Sequence, residues 1–296
     1  MSFLFDPRLT LHPLGFWRIA NPPTDHELQN YYAEKYYQQA KGSYELKYSK
    51  DELKYLKAKV RQRWEVIRKH RGDSLGTLLD VGCGEGFTLS CFKELGWKAK
   101  GFDYSESGIK SQNPSCIDLL TKGDIFDLLN QEIDKGNRYS VVWLQNVLEH
   151  VIEPLKLLAS LKSLMDSDSI LVVTVPNDFS LTQEGALKNK HIEHSFWVSP
   201  PDHLSYFNHG SLMNVIDATG WSNITIHADF PIDWFLYHSK SNYIADKSAG
   251  KQAHYARVQI ENLIDEKPIE SIHRFYESMA QLGIGRNLTA FLSPLE

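Results

Sequence analysis

The sequence predicts an α/β fold, doubly wound, in which a mostly parallel sheet carries helices on both faces. Three observations point there. Between Thr77 and Pro176, short apolar runs alternate with segments of helical periodicity. The runs are apolar at consecutive positions, as in Val141-Val142-Trp143, the pattern of strands buried on both faces. The first run ends in a glycine cluster, a common place for a ligand-binding turn in such sheets.

The elements follow in order. Residues 1–30 contain Pro7, Pro13, Pro22 and Pro23 and read as irregular. From about Tyr31 the pattern turns helical. Ser49 with Glu52 three residues later forms a capping box, and Leu53, Leu56, Val60, Trp64 and Ile67 then recur at helical spacing until Arg71-Gly72-Asp73. Thr77 to Val81 is the first core strand, and Phe87 to Leu95 a helix stopped by Gly96. Lys98 to Asp103, Tyr139 to Leu144 and Ile170 to Val175 are further strands, and Pro154 to Met165 is a helix with Leu155, Leu158, Leu161 and Leu164 on one stripe. Residues 177–207 read as a loop rich in His and aromatics. Asn208 to Thr219 is a helix closed by Gly220, and Ile224 to Ala228 a strand. The expected division is an N-terminal arm and helix (1–72), a core (73–229), a helical insertion (230–282) and a last core strand within 283–296, the apolar run Asn287 to Leu292.

Composition narrows the class. Of 296 residues, 42% are hydrophobic, and no apolar stretch approaches the ~20 residues needed to cross a bilayer. Met1 to Phe5 is apolar but meets Asp6-Pro7 without a basic residue before it, so no signal peptide is expected. Three cysteines, Cys83, Cys91 and Cys116, leave an odd count without metal spacing, which fits a reducing compartment. A cytoplasmic protein is expected. The net charge is −5, yet residues 31–71 hold twelve Lys and Arg against five Asp and Glu. These charges read first as a solvated helix face, with partner binding as the alternative. The tyrosine-rich part, 31–48, is a candidate lid.

The sharpest local signal is Leu79-Asp80-Val81-Gly82-Cys83-Gly84-Glu85-Gly86. A dinucleotide turn, G-x-G-x-x-G, needs glycine at position 87, which is Phe87. The spacing G-x-G-x-G, with an acid two residues before the first glycine, suits a ligand carrying a cation better than a pyrophosphate.

With these residues the chain resembles the class I S-adenosylmethionine-dependent methyltransferases, and in particular the ubiquinone-type O-methyltransferase subgroup, over about residues 75–229. The resemblance implies a seven-stranded Rossmann-like sheet and S-adenosylmethionine as cofactor, with S-adenosylhomocysteine as product. Asp80, Gly82, Cys83, Gly84 and Gly86 then wrap the methionine part. Asp103, in Gly101-Phe102-Asp103-Tyr104-Ser105, accepts from both ribose hydroxyls, a task suited to an ionised, acceptor-only carboxylate, with Tyr104 beside it. In Gly123-Asp124-Ile125, Asp124 accepts from the adenine amine and Ile125 packs on the ring. Gln145 ends the strand that leads into Asn146-Val147-Leu148-Glu149-His150-Val151, a stretch like that of the subgroup, as is Pro200 to Phe207 ahead of Thr219-Gly220-Trp221. On its own spacing, Asp124 is also a helix N-cap before Ile125 to Leu129.

Methyl transfer is an in-line attack on a sulfonium carbon with a neutral leaving group, so a protein mainly aligns and desolvates the reactants. A hydroxyl nucleophile also needs a proton acceptor. His150, just after a strand end where open α/β sheets bind ligands, is the expected general base, and His203 the rival. Some members of the subgroup hold a divalent metal through a Glu-x-x-Glu-His arrangement. Here Asn146 stands first, with Glu149 and His150 following, and a hard dication prefers carboxylates, so no metal is expected. His191, His194, His203 and His209 lack a zinc spacing. Neither the D/N-P-P-Y/F motif of adenine-directed enzymes nor the Pro-Cys of cytosine C5 enzymes is present, which disfavours nucleic acid bases. The expected function is O-methylation of a small-molecule or saccharide acceptor. Its pocket is expected from Phe196, Trp197, Tyr206 and Phe207 with Trp234, Phe235 and Tyr237 of the insertion, with burial of most of these aromatics in the core as the equal alternative. RNA- or protein-directed methylation through the basic arm, and a cofactor-binding module without turnover, are the alternatives. Either monomer or oligomer is compatible with the sequence.

Overall fold

A computed structural model describes residues 6–24, 27–28, 31 and 47–295. In chain order the strands are β1 (Leu9–Leu11), β2 (Trp17–Ile19), β3 (Thr77–Val81), β4 (Lys98–Asp103), β5 (Leu120–Lys122), β6 (Val141–Gln145), β7 (Ile170–Pro176), β8 (Ser205–Tyr206), β9 (Trp221–Ala228) and β10 (Asn287–Pro294). The α-helices are α1 (Lys50–Arg71), α2 (Phe87–Glu94), α3 (Ser107–Gln112), α4 (Ile125–Asp134), α5 (Pro154–Lys162), α6 (Leu181–Lys188), α7 (His209–Ala218), α8 (Ala249–Ile264) and α9 (Ile269–Gln281).

The main sheet has seven strands in the order β5-β4-β3-β6-β7-β10-β9. Strands β3 to β7 pair in parallel, while β10 runs antiparallel between β7 and β9. The two-residue period of the strands sorts their side chains to opposite faces. Leu78, Val141, Trp143, Ile170 and Val172 pack with Val60, Ile67, Leu89 and Phe92 of α1 and α2. Leu79, Val142, Leu144, Leu171 and Val173 pack with Leu129, Leu158, Leu161, Leu212 and Ile216 of α4, α5 and α7. Both faces of these strands are buried, which is why their sequences read as continuous apolar runs. No described helix is long and apolar enough to cross a membrane.

Helix α1 starts as its sequence dictates. The Ser49 hydroxyl accepts from Glu52 N at 3.2 Å, and Glu52 Oε2 accepts from Ser49 N at 2.8 Å. Its polar side departs from expectation, because much of it faces protein. Lys59 pairs with Glu261 at 2.6 Å, Arg61 and Gln62 reach Asp265 at 2.6 and 2.8 Å, and Asn262 donates to Asp51 O at 3.0 Å. The insertion's helix α8 thus covers a face that charge alone marked as solvated.

Two segments read as irregular are ordered. Strands β1 and β2 form a hairpin within residues 1–30, and β2 pairs with β8, so Trp17 stands opposite Tyr206. The 177–207 segment contains α6, whose capping box is Ser180 with Gln183. Of the two readings of the aromatics, pocket lining and core, the structure favours core for several. Trp197, Tyr206 and Phe207 are buried in apolar clusters, and Trp234 and Tyr237 are exposed. Their apolar rings stabilise more by filling these clusters than by lining a wet cleft.

Candidate functional site

The carboxyl ends of β3, β4 and β6 point to one edge of the sheet, and the turns that follow them enclose a cleft of about 1290 Å³. Every site residue expected from the sequence lines it: the turn residues Asp80, Gly82, Cys83, Gly84 and Gly86, then Asp103, Tyr104, Asp124, Ile125 and Gln145, and finally His150 and His203.

The three glycines of the turn have φ of 74°, 51° and 76°. A Cβ on Gly82 would lie 2.3 Å from Val147 Cγ2, so glycine is required there by Val147 as well as by the backbone. The amides of the turn are spent internally. Gly82 and Cys83 donate to Phe102 O at 2.8 and 2.9 Å, Gly84 to Asp103 Oδ2 at 2.8 Å, and Gly86 to Cys83 O at 2.8 Å. A pyrophosphate finds no nest in these amides. The wall presents carboxylates instead. Burial, reinforced by the neighbouring Asp103, holds the Asp80 carboxyl well above the usual carboxylate range. Burial also pushes Glu85 up to about 7, although the Tyr48 hydroxyl donates to it. The burial that surrounds Cys83 pushes its thiol up, so it packs rather than reacts. A ligand with a cationic centre and hydroxyl donors suits this wall, and an anion does not.

Asp103 receives the Ser105 amide on Oδ1 at 2.9 Å and the Gly84 amide on Oδ2, which locks the carboxylate at the strand end. Asp124 is an N-cap: Oδ1 accepts from Phe126 N at 2.8 Å and Asp127 N at 3.1 Å, while Oδ2 accepts from the Tyr104 hydroxyl. Gln145 Oε1 accepts from Arg63 at 2.6 Å.

Opposite this wall, His150 Nδ1 lies 2.6 Å from Asp202 O. A carbonyl only accepts, so Nδ1 carries the hydrogen and Nε2 is the nitrogen that can take up a proton. Burial depresses the His150 pKa against the pull of Asp202. His203, its ring 4.9 Å away, is pushed down to about 3 by burial and by the nearby His150 and Arg286. Burial raises Glu149 well above its usual range, and neither of its carboxyl oxygens has a hydrogen-bond partner. Although the sequence reading assigns no metal, ligand atoms of Glu149, His150 and His203 all lie within 4.8 Å of one another. His191, His194 and His209 take no part in the cleft lining among the described residues.

Sequence reasoning missed a second set of cleft residues. Tyr55, Lys59 and Arg63 of α1, Asp229 after β9, Arg257 of α8 and Arg286 before β10 all line the cleft. A visible signal existed only for α1, whose buried stripe is interrupted by polar residues with no local partner. Asp229 and Arg286 are brought together where β9 pairs with β10, and Arg257 comes with the insertion's helix α8. Residues 32–46, the centre of the candidate lid, lie outside the described residues, while Leu28 and Tyr48 on either side line the cleft.

A family model described as a methyltransferase domain matches residues 50–226. The ubiquinone biosynthesis O-methyltransferase of Rhodopseudomonas palustris is 30% identical over 113 residues, covering 37% of this chain and 45% of that protein. The enzyme of the same name from Bradyrhizobium diazoefficiens is 25% identical over 169 residues, covering 54% and 65%. The match thus spans about half the length of the first of these curated relatives. Among solved structures, a SAM-dependent methyltransferase from Archaeoglobus fulgidus superposes with a TM-score of 0.52 at 21% identity, over 83% of this chain and 95% of that one. The 1,6-didemethyltoxoflavin-N1-methyltransferase of Burkholderia thailandensis, solved with S-adenosylhomocysteine, gives 0.51 at 12% identity over 100% and 99%. At such identities these two likenesses speak for the fold.

Proposed function

Because this chain belongs to the class I S-adenosylmethionine-dependent methyltransferases, we propose that it methylates a hydroxyl of a small molecule or saccharide. The observation that carries the reading is one cleft in which a carboxylate-lined glycine turn faces a histidine with a fixed tautomer. S-adenosylmethionine, when bound, supplies a methyl carbon activated by the sulfonium. Asp80 and the turn Gly82, Cys83, Gly84 and Gly86 hold its methionine part, with Gln145 at the strand end. Asp103 accepts from the ribose hydroxyls, and Tyr104, Asp124 and Ile125 flank the adenine. His150 takes the acceptor's hydroxyl proton at Nε2, and Asp202 O holds the ring for it. His203, kept neutral by burial, packs against that ring and excludes water. The names of the curated relatives support the O-directed reading. Acceptance of RNA by the basic arm is disfavoured among the described residues, because Lys54, Lys59 and Arg61 are already paired with acids.

A second reading of the same corner is a cation held by Glu149, His150 and His203, favoured by the close approach of their ligand atoms. One oxygen and two nitrogens suit a transition metal better than magnesium. Exhaustive chelation leaves turnover unchanged if His150 is the base and abolishes it if the cation is required.

Calorimetric titration of S-adenosylhomocysteine tests the cofactor site. Hydrogen bonds to a charged group contribute roughly 1.5–3 kcal/mol each, so Asp103→Ala should weaken binding at least about tenfold. Asp103→Asn, which keeps one oxygen for the Gly84 amide, separates ligand contact from loop support. Absence of binding to the wild-type protein overturns the reading.

A further inference from the structure

The cleft is lined unequally on its two sides. Among the described residues, every Phe and Tyr that lines it lies before residue 127: Tyr48 and Tyr55 at α1, Phe87 at the start of α2, Tyr104 after β4 and Phe126 in α4. The side formed by the ends of β6, β7 and β9 and the start of β10 offers Asn146, Thr174, Pro176, Asp229, Arg286 and Asn287 instead. Arg257 lies 5.4 Å over the Tyr55 ring, so that aromatic face is already taken. The rings of Trp197, Tyr206 and Phe207 fill cores. A flat phenol gains most from apolar and aromatic surfaces, whereas a polyol needs a hydrogen-bonding group for each hydroxyl. The β6–β10 side of the cleft is furnished for the polyol.

Within that side Asn146 is set apart by its backbone. Its φ is 53°, in the left-handed region, and its amide nitrogen donates to Thr174 O at 2.9 Å. Glycine takes such a φ freely, so the turn carries a side chain where its absence is the less strained solution. A residue held this way in a cleft points to a role for its side chain. The Asn146 side chain is exposed in the cleft and makes no hydrogen bond among the described residues. One 3-10 turn, Leu148–His150, separates it from the proposed base, and His150 N donates to Val147 O at 3.0 Å. Carboxamide and imidazole are thus presented from the two ends of one short turn. A carboxamide has one acceptor oxygen and two N–H donors, so it serves a hydroxyl in either direction, which a carboxylate or a guanidinium does not.

Resting on the methyltransferase reading above, we infer that the acceptor is a saccharide with two neighbouring hydroxyls, not a phenol. One hydroxyl gives its proton to His150 Nε2 as its oxygen bonds the methyl carbon and the carbon–sulfur bond of the cofactor breaks. The Asn146 carboxamide holds the neighbouring hydroxyl and so selects which oxygen is methylated.

Methyl glycosides of mannose, glucose, galactose and rhamnose, with catechol and phenol as flat probes, are titrated by ligand-observed NMR into protein saturated with S-adenosylhomocysteine. At least one glycoside is expected to bind at least about tenfold more tightly than either flat probe. With S-adenosylmethionine that glycoside should gain one methyl group, at a position read by mass spectrometry. Removing the hydroxyl next to that position should cost at least about tenfold in the wild-type protein and little in Asn146→Gly, which keeps the backbone and deletes the carboxamide. Asn146→Gly should also methylate more than one position, with S-adenosylhomocysteine affinity near the wild-type value. A flat probe that binds as tightly as the best glycoside, no binding of any glycoside, or an equal loss from the missing hydroxyl in both proteins overturns the inference. So does a loss of S-adenosylhomocysteine affinity of about tenfold in Asn146→Gly, which assigns the carboxamide to the cofactor. Failure of the wild-type protein to bind S-adenosylhomocysteine removes the methyltransferase reading instead, and glycoside binding measured without it still reports on Asn146.

Discussion

The two walls of the cleft are made in opposite ways. One is the set of turns after β3, β4 and β5, where Asp103 and Asp124 are fixed by backbone amides within about one turn of chain or by a residue after the adjacent strand. Asp103 takes the Ser105 amide and Asp124 the Phe126 amide. The other wall joins α1 to α8, and its contacts bridge more than two hundred residues, as in Gln62 with Asp265 and Glu52 with His254. A locally specified wall keeps its shape whatever the ligand's far end looks like. A wall made from a distant insertion can change its specificity without touching the turns.

Four changes break or sharpen that contrast. At the seam between the walls, His150→Gln should lower turnover by about 10²–10⁴, the usual contribution of a general base, with S-adenosylhomocysteine affinity close to wild type in calorimetry. On the distant wall, Glu261→Gln leaves the Lys59 ammonium largely buried and uncompensated. It should cost about 3–5 kcal/mol in urea unfolding, and an apolar pair at both positions should restore most of it. On the local wall, Gly82→Ala meets both a positive φ and Val147, and roughly 2–4 kcal/mol of destabilisation is expected by the same measurement. Equal loss of cofactor affinity from Glu261→Gln and Gly82→Ala would erase the distinction between the walls.

The smallest effect lies beneath the local wall. Burial raises the Glu132 carboxyl, but hydrogen bonds from Lys100, Tyr139 and Asn137 outweigh it and bring the pKa down to about 2. The folded value lies below the unfolded one of about 4.3, so the charged form stabilises the fold above that pH. The contribution, on the order of 2 kcal/mol, is lost as pH falls from about 4.3 toward 2. Thermal melts of Glu132→Gln should show a flatter acid limb than wild type.

What the sequence made legible follows the same division. Thr77 to Val81, the glycine turn and the Ser49–Glu52 box are coded by neighbours, and each was readable from a window of ten residues. Asp124 announced its capping role through the apolar run behind it. The β1–β2 hairpin was not readable, because three-residue strands have no period of their own and gain order from β8 almost two hundred residues on. Helix α6 was hidden by the His- and aromatic-rich segment around it, although Ser180 and Gln183 carry a capping box. The aromatics Trp197, Tyr206 and Phe207 are indistinguishable in sequence from pocket residues, and only packing shows that they fill a core. Arg257 gave no signal, since an arginine on an amphipathic helix is ordinarily solvated.

The antiparallel strand β10 lies between β7 and β9, yet it is synthesised after both of them. While a ribosome is still translating the insertion, β7 therefore lacks its outer partner and β9 has no sheet partner at all, so both offer unpaired backbone groups to other chains. Pairing with either strand satisfies only half of β10, and seating it between β7 and β9 both covers the β7 edge and brings β9 into the sheet. This arrangement makes the interval before residues 287–294 emerge the period of greatest exposure to misassociation, and the point at which a holding chaperone has most to protect.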